Sequence, residues 1–210
     1  MTTPSGPGTT TVTARSGRRV SLERATRETT ITVTLDLDGT GQAAIATGIG
    51  FYDHILGSLS HHGLFDLEVQ ATGDLDVDEH HTVEDVALVL GSAFAEALGD
   101  RTGIARFGDA RVPMDESLAS AVIDIGGRPY AVIDLPFRGE RAGQLPLQLV
   151  EHALEAFART AGATLHVQGS GRNDHHLAEA AFKALGRALR AACAPDPRRV
   201  GVASTKGSLG

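Results

Sequence analysis

The pattern His-His-x-x-Glu occurs twice in this chain, as His80-His81-Thr82-Val83-Glu84 and as His175-His176-Leu177-Ala178-Glu179, and each copy opens a stretch with the apolar period of an amphipathic helix. Residues four apart share one face of a helix, so His80 with Glu84, and His175 with Glu179, can each offer an imidazole nitrogen and a carboxylate oxygen to one ion. The second histidine of each pair, His81 or His176, projects about 100° away, toward another ion or another subunit. An earlier histidine precedes each copy on its own helical stretch, His54 in Asp53-His54-Ile55-Leu56 and His152 in Glu151-His152-Ala153-Leu154. The two halves therefore read as a duplicated unit. Packing alone does not explain retained donors, because a core accepts any apolar side chain of suitable volume whereas a metal demands specific atoms.

The remaining pattern is built around these helices. Ile31, Val33, Leu35 and Leu37 alternate with Thr32, Thr34 and Asp36, the period of a half-buried strand, and Asp38-Gly39 supplies a hairpin turn into a return strand over 42–47. A helix over 51–62, a strand over 65–71 and a helix over 82–98 follow. The second half repeats this order, with strands over 119–125 and 130–135, a helix over 147–161, a strand over 164–168 and a helix over 177–192. The expected fold class is α+β: tandem duplicated ββαβα units at 18–100 and 101–194, whose two sheets pack through their helices. Residues 1–17, rich in Thr, Ser, Gly and Pro, read as a flexible N-terminal tail, and 195–210 as a C-terminal tail that closes on substrate.

Composition narrows the function classes. No apolar run in the 210 residues approaches the ~18 that a membrane span needs, so a soluble protein without a membrane partner is expected. A lone cysteine, Cys193, excludes an intrachain disulfide and a thiolate-rich zinc site, and a cytoplasmic location is expected. The net charge of -7 argues against a nucleic-acid partner, since phosphate backbones are held by basic surfaces. Negative charge instead crowds the approach to the first motif, at Asp66, Glu68, Asp74, Asp76, Asp78, Glu79, Glu84 and Asp85, where it would attract a cation.

Eight donors, His54, His80, His81, Glu84, His152, His175, His176 and Glu179, divide into four for each of two ions, while His61 and His166 read as surface or satisfied residues. Four protein donors on an octahedral ion leave open positions for substrate or water. Imidazole and carboxylate without sulfur suit Mn(II), Fe(II), Co(II), Ni(II) or Zn(II). Lysine usage is a second signal: the only two lysines are Lys183, four residues beyond Glu179, and Lys206 in Ser204-Thr205-Lys206-Gly207, a segment able to close on a phosphate. Arg106, Arg111 and Arg128 are candidate partners for the same anion. On residues alone, a dinuclear metal hydrolase and a metal-storing cage protein remain open beside a lyase.

Seven ordered segments, Phe51 to Leu56, Gly63 to Leu67, Gly73 to Asp85, Asp115-Glu116-Ser117-Leu118, Gly127-Arg128-Pro129-Tyr130, Asn173 to Leu185 and Ser204 to Gly207, together resemble the imidazoleglycerol-phosphate dehydratases of histidine biosynthesis. The resemblance runs from about Arg18 to the C-terminus. It implies a duplicated fold like the second domain of ribosomal protein S5, two Mn(II) per active site, and trimers assembled into a cage of twenty-four subunits with active sites between them. It implies dehydration of D-erythro-imidazole-glycerol phosphate to imidazole-acetol phosphate, with the eight donors as metal ligands. Among these, His54, His81, Glu84, His176 and Glu179 join Glu28 as catalytic residues. Glu28, which falls in neither repeat as read from the motifs, matches the family's acid/base glutamate. His62, Arg106, Arg128, Lys183, Ser204, Thr205 and Lys206 match its substrate and phosphate contacts. The one departure is Ala203, where the family often has proline before Ser-Thr-Lys-Gly.

Overall fold

The computed structural model describes residues 8–209. The first half contains β1 (Thr11–Ser16), β2 (Arg19–Ala25), β3 (Thr29–Asp36), β4 (Ala43–Ala46), α1 (Gly50–Gly63), β5 (Asp66–Gly73) and α2 (His80–Leu98). The second contains β6 (Phe107–Met114), β7 (Ser117–Asp124), β8 (Tyr130–Asp134), the two-residue β9 (Arg141–Ala142) and β10 (Leu145–Pro146), α3 (Gln148–Ala161), β11 (Thr164–Ser170) and α4 (Asp174–Cys193).

Strand order is β1-β2-β3-β5-β4 in the first sheet and β6-β7-β11-β8 in the second. Without β1 the two orders correspond strand for strand. Each begins with an antiparallel hairpin (β2–β3, β6–β7), adds a third antiparallel strand (β5, β11), and ends on a parallel edge strand (β4, β8). Alternation carries the fold: Ile31, Val33 and Leu35 face inward from β3 opposite Ala71, Val69 and Leu67. Ala119, Ala121 and Ile123 of β7 face inward opposite Gly169, Val167 and Leu165.

Three details correct the sequence reading. Each unit has a further leading strand, β2 or β6; β2 has only Val20 and Leu22 as buried hydrophobics, and β6 contains Gly108 and Pro113, so neither carries a strong period-two signal. The Asp38-Gly39 turn closes no hairpin, because β5 lies between β3 and β4, and β4 runs parallel to β5. The cause is Asp66 at the start of β5: its Oδ1 accepts the N–H groups of Thr40 and Gln42 at 2.8 and 2.9 Å, drawing the chain across that strand's end. The expected tail at 1–17 is also shorter than read, since residues 11–16 form β1 and pair with β2 as an exposed edge strand whose side chains are mostly polar. Residues 1–7 lie outside the described residues.

The helices form the inner layer. α1 and α2 cover the first sheet, α3 and α4 the second, and the halves meet where α1 packs on α4 and α2 on α3. Both crossings are close. Gly91 and Gly186 stand at the same offset from His80 and His175, and a Cβ at either would strike the opposing helix: Thr160 and the Phe157 carbonyl at Gly91, the Leu59 carbonyl at Gly186. Phe94 stacks edge-on against Phe65 and Phe157, with ring centroids 5.2 and 5.4 Å away.

Gly186→Ala tests the tightness of this layer. Alanine would gain up to about 1 kcal/mol of helix propensity, but the methyl must push a backbone carbonyl, and overpacking costs about 1–3 kcal/mol. A lower urea midpoint is expected for Gly186→Ala and for Gly91→Ala, and an unchanged or raised midpoint would show that the helices part freely.

Candidate functional site

Each helix crossing brings donors from both halves together. At one end of the α1–α4 pair, His54 Nε2 lies 3.0 Å and His175 Nε2 3.2 Å from Glu179 Oε2. At the α2–α3 pair, His80 Nε2 lies 3.8 Å and His152 Nε2 3.7 Å from Glu84 Oε2. Within each cluster the three ligand atoms lie within 4.8 Å of one another. Bonds of roughly 2.0–2.2 Å to one centre place ligand atoms about 3–4.4 Å apart, a range that includes the 3.0–3.8 Å histidine–carboxylate distances. His152 Nε2 is buried without a hydrogen-bond partner, a cost that an ion between it and Glu84 would remove. The donors therefore fit a divalent cation, two nitrogens and one carboxylate at each centre.

His81 and His176 join neither cluster, so the expected division into four donors per ion is not made within one chain. Their rings stand nearly perpendicular to those of His80 and His175, at 86° and 84°, as the helical period dictates. His81 Nδ1 meets Asp74 Oδ2 at 3.0 Å, with Glu28 Oε2 farther off at 3.9 Å. His176 Nδ1 meets Glu116 Oε2 at 2.9 Å.

Charge in the clusters is balanced locally. Burial pushes the Glu179 carboxyl up, but Lys183, whose Nζ is 2.8 Å from Oε1, and His54 outweigh it and bring the pKa from the ordinary 4.5 down to about 2. Burial likewise opposes ionisation of Glu84, and Arg159 at 3.1 Å together with His152 holds it below the usual carboxylate range. The hydrogen bond to Asp74 raises the His81 pKa. His62, near Lys183 and Arg187, is lowered, first by burial and then by those cations.

The basic residues split. Arg106, Arg128, Ser204, Thr205 and Lys206 line one cavity of about 350 Å³. Arg106 is fixed there by Asp124, with Nε and Nη2 at 2.6 and 2.8 Å, and donates through Nη1 to the Ala203 carbonyl at 2.6 Å. The C-terminal segment is thus tied down as far as Ala203, helped by a 3.0 Å bond from Gly103 N to the Gly201 carbonyl. Arg111 does not join it; it lines a separate recess with Ser120, Asp134 and Gln168 on the outer face of the second sheet. Lys183 also lies elsewhere, beside Glu179. The cavity and the His54 cluster sit at opposite ends of α4, because Arg106 N binds the Ala192 carbonyl while the carboxylate of the cluster is that of Glu179. At 1.5 Å per residue that is about 20 Å.

Sequence reasoning did not assign Arg159, Asp124 or a role to Glu116. Only tertiary contact reveals Arg159 and Asp124, and Glu116 carried no signal beyond its place in the Asp115-to-Leu118 motif. Glu28, which motif spacing leaves outside the repeats, occupies a repeated position. It immediately precedes Thr29 at the start of β3, as Glu116 precedes Ser117 at the start of β7, and Thr29 and Ser117 are both buried.

Two helix-covered sheets with a His-His-Glu cluster at each crossing define a duplicated α+β protein with two candidate metal centres. The family model for imidazoleglycerol-phosphate dehydratase matches residues 47–189. An imidazoleglycerol-phosphate dehydratase of Methanoculleus marisnigri is 56% identical over 192 residues, 91% of this chain and 100% of that protein. One from Gluconacetobacter diazotrophicus is 54% identical over 196 residues, 92% and 99% of the two chains. Among solved structures, the Pyrococcus furiosus enzyme in complex with (S)-C348 superposes with a TM-score of 0.78 at 36% identity, covering 89% of this chain and 99% of that one. The Staphylococcus aureus enzyme gives 0.76 at 34%, covering 83% and 98%. The chain belongs to the imidazoleglycerol-phosphate dehydratase family. It is a hydro-lyase that dehydrates D-erythro-imidazole-glycerol phosphate to imidazole-acetol phosphate in histidine biosynthesis, which sets aside the hydrolase and storage readings.

The Glu179 shift has a consequence for the metal-free protein. A carboxyl whose folded pKa is depressed stabilises the fold above its unfolded value, and that stability is lost as pH falls through the folded value, here between about 4.5 and about 2. Lys183→Met removes a main cause of the shift, so its urea midpoint should change less than wild type's between pH 5 and roughly 2.5. Parallel midpoint-against-pH curves for the two proteins would show that Lys183 does not hold Glu179 ionised.

Proposed function

We propose that the dehydration is metal-dependent, with two Mn(II) per active site, and that each active site is assembled from more than one subunit of a cage of twenty-four built from trimers. The observation that carries this reading is the mismatch inside one chain: two three-donor clusters, two unused histidines, and a basic cavity about 20 Å from the His54 cluster along α4. A substrate with a ring and a phosphate joined by three carbons does not bridge that distance. Donors and cavity from different subunits, brought together by symmetry, would meet it.

In this reading His54, His175 and Glu179 hold one ion and His80, Glu84 and His152 the other, each ion being completed by His81 or His176 of a neighbouring copy. Bound ions would supply Lewis acidity and a template for the imidazole ring, leaving coordination positions open. The other groups do ordinary work. Arg106, Arg128, Ser204, Thr205 and Lys206 grip the phosphate, and the ion pair to Asp124 pre-orders Arg106 so that little freedom is lost on binding. Lys183 and His62 line the substrate side of the His54 cluster. Glu28, exposed and 3.9 Å from His81 Nδ1, takes and returns protons at the reacting carbons. Acid/base help of this kind typically contributes ~10²–10⁴ in rate. A cytoplasmic location is part of the proposal, supported by a single buried cysteine, Cys193, and no disulfide among the described residues.

Subunit mixing tests the shared site. Lys206→Ala disables the phosphate cavity and Glu179→Gln a metal centre, and each homogeneous particle should turn over poorly. Dissociating the two together with a chelator and reassembling them with Mn(II) should restore activity, because some sites then combine an intact cavity with intact ligands. Failure to recover activity in particles verified to be mixed would place cavity and cluster of one site on one chain.

Glu28→Gln separates proton transfer from binding. The amide keeps shape and cannot exchange a proton, so Mn(II) content and KM should hold while kcat falls by ~10²-fold or more. Near-normal kcat would remove Glu28 from the mechanism.

A further inference from the structure

The duplicated position shared by Glu28 and Glu116 has diverged in a way that assigns Glu116 a task. Both residues immediately precede the buried hydroxyl residue that starts the second hairpin strand, Thr29 or Ser117. Both approach the histidine of the following His-His-x-x-Glu motif that lies outside the intrachain cluster. Their surroundings differ. The Glu28 side chain is 55% exposed and stands 3.9 Å from His81, whose Nδ1 is held by Asp74 instead. The Glu116 side chain is 23% exposed and fully engaged: Oε1 accepts the N–H groups of Arg172 and Asn173 at 3.0 and 2.8 Å and the Ser117 hydroxyl at 3.0 Å, while Oε2 takes His176 Nδ1 at 2.9 Å. His176 Nε2 meets only the exposed Asp115 carboxylate, at 3.9 Å, beyond hydrogen-bond range.

We propose that Glu116 is the positioning residue of His176: it accepts the Nδ1 proton, fixes the neutral tautomer, and leaves the Nε2 lone pair directed outward at a divalent metal ion. The inference rests on the reading of His176 as a metal ligand and names the group that makes it one. A ring nitrogen that carries a proton cannot ligate, and in the neutral ring a carboxylate on Nδ1 keeps the proton there and the lone pair on Nε2. Because Oε1 simultaneously ties the Arg172-Asn173 turn at the start of α4, the carboxylate also sets the ring's direction relative to its helix. In the first repeat Asp74 performs the same service for His81, which releases Glu28 from it.

The test is Mn(II) binding to the assembled protein, measured by equilibrium dialysis, for Glu116→Gln, Glu116→Ala, His176→Ala and the double variant Glu116→Gln/His176→Ala. Glutamine can keep an oxygen on the two backbone N–H groups while its NH2 donates to Nδ1, which stabilises the non-ligating tautomer. Glu116→Gln should therefore weaken Mn(II) at one class of site by about 10–100-fold. Glu116→Ala loses the turn but frees the tautomer, and should weaken it less. The double variant should bind no more weakly than His176→Ala. Wild-type affinity in Glu116→Gln, a greater loss in Glu116→Ala, or an added loss from Glu116→Gln in the His176→Ala background would each overturn the proposal in favour of a purely structural glutamate. Unchanged binding in His176→Ala would instead overturn the underlying assignment of His176 as a ligand.

Discussion

The close crossing of helices from opposite halves is the constraint on which everything else depends. Neither half holds a cluster by itself: His54 comes from the first half to meet His175 and Glu179 of the second, and His152 from the second to meet His80 and Glu84 of the first. Gly91 and Gly186 let the backbones approach at those crossings, and both sit at the same offset from their motifs. The distance between helix axes thereby becomes a distance between ligand atoms. Packing at this layer is dense and largely apolar, with Phe94, Phe157, Leu154 and Leu185 buried between the sheets, and close-packed interiors transmit displacement rather than absorb it.

Placing carboxylates at the ends of such a layer has an electrostatic cost that each cluster offsets differently. Glu179 is 6% exposed and relies on Lys183 of the same helix, one turn away. Glu84 is more open and relies on Arg159 from the opposing helix. Both carboxyls are thereby drawn toward the ionised form, and an ionised carboxylate is a better cation site than a protonated one. The cationic partners contact the second carboxylate oxygen in each case, Oε1, leaving Oε2 for the histidines.

Much of the fold was legible from sequence because the helices and central strands bury one face. Strand β3 and helices α2 and α4 follow from alternation and from the stripe after each motif. Strands β1, β2 and β6 were not legible, since β1 buries almost nothing and the other two offer few inward hydrophobics. Turn chemistry misled at Asp38-Gly39, where Asp66 redirects the chain. The six residues of the two clusters, His54, His80, Glu84, His152, His175 and Glu179, could be named from spacing, but their grouping could not. Spacing fixes which residues share a helix face, whereas the partner helix is chosen by tertiary packing. Arg111 failed for a different reason: it shares a face of β6 with Phe107, which does line the cavity, but stands farther along the strand opposite Ser120, beyond reach of the C-terminal segment.

Duplication explains why the site is both symmetric and divided in labour. A duplicated unit begins with two copies of every group, and the two clusters keep the same set, two histidines and one glutamate, as two ions of the proposed kind would require. Groups outside the ligand sets are under no such demand. In the second half the loop from Gly171 to His175 is short, so Glu116 can reach both the turn and His176; in the first half the longer Gly73-to-His80 loop inserts Asp74 between strand and helix. Once Asp74 holds His81, the carboxylate of Glu28 has no structural duty and stays exposed beside the site. The proton-shuttling role proposed for Glu28 would benefit from that freedom, since a carboxylate held by several fixed donors, as Glu116 is, is drawn below the usual range and becomes a poor base. The same position in two repeats thus supports opposite properties, and the difference traces to the length of one loop.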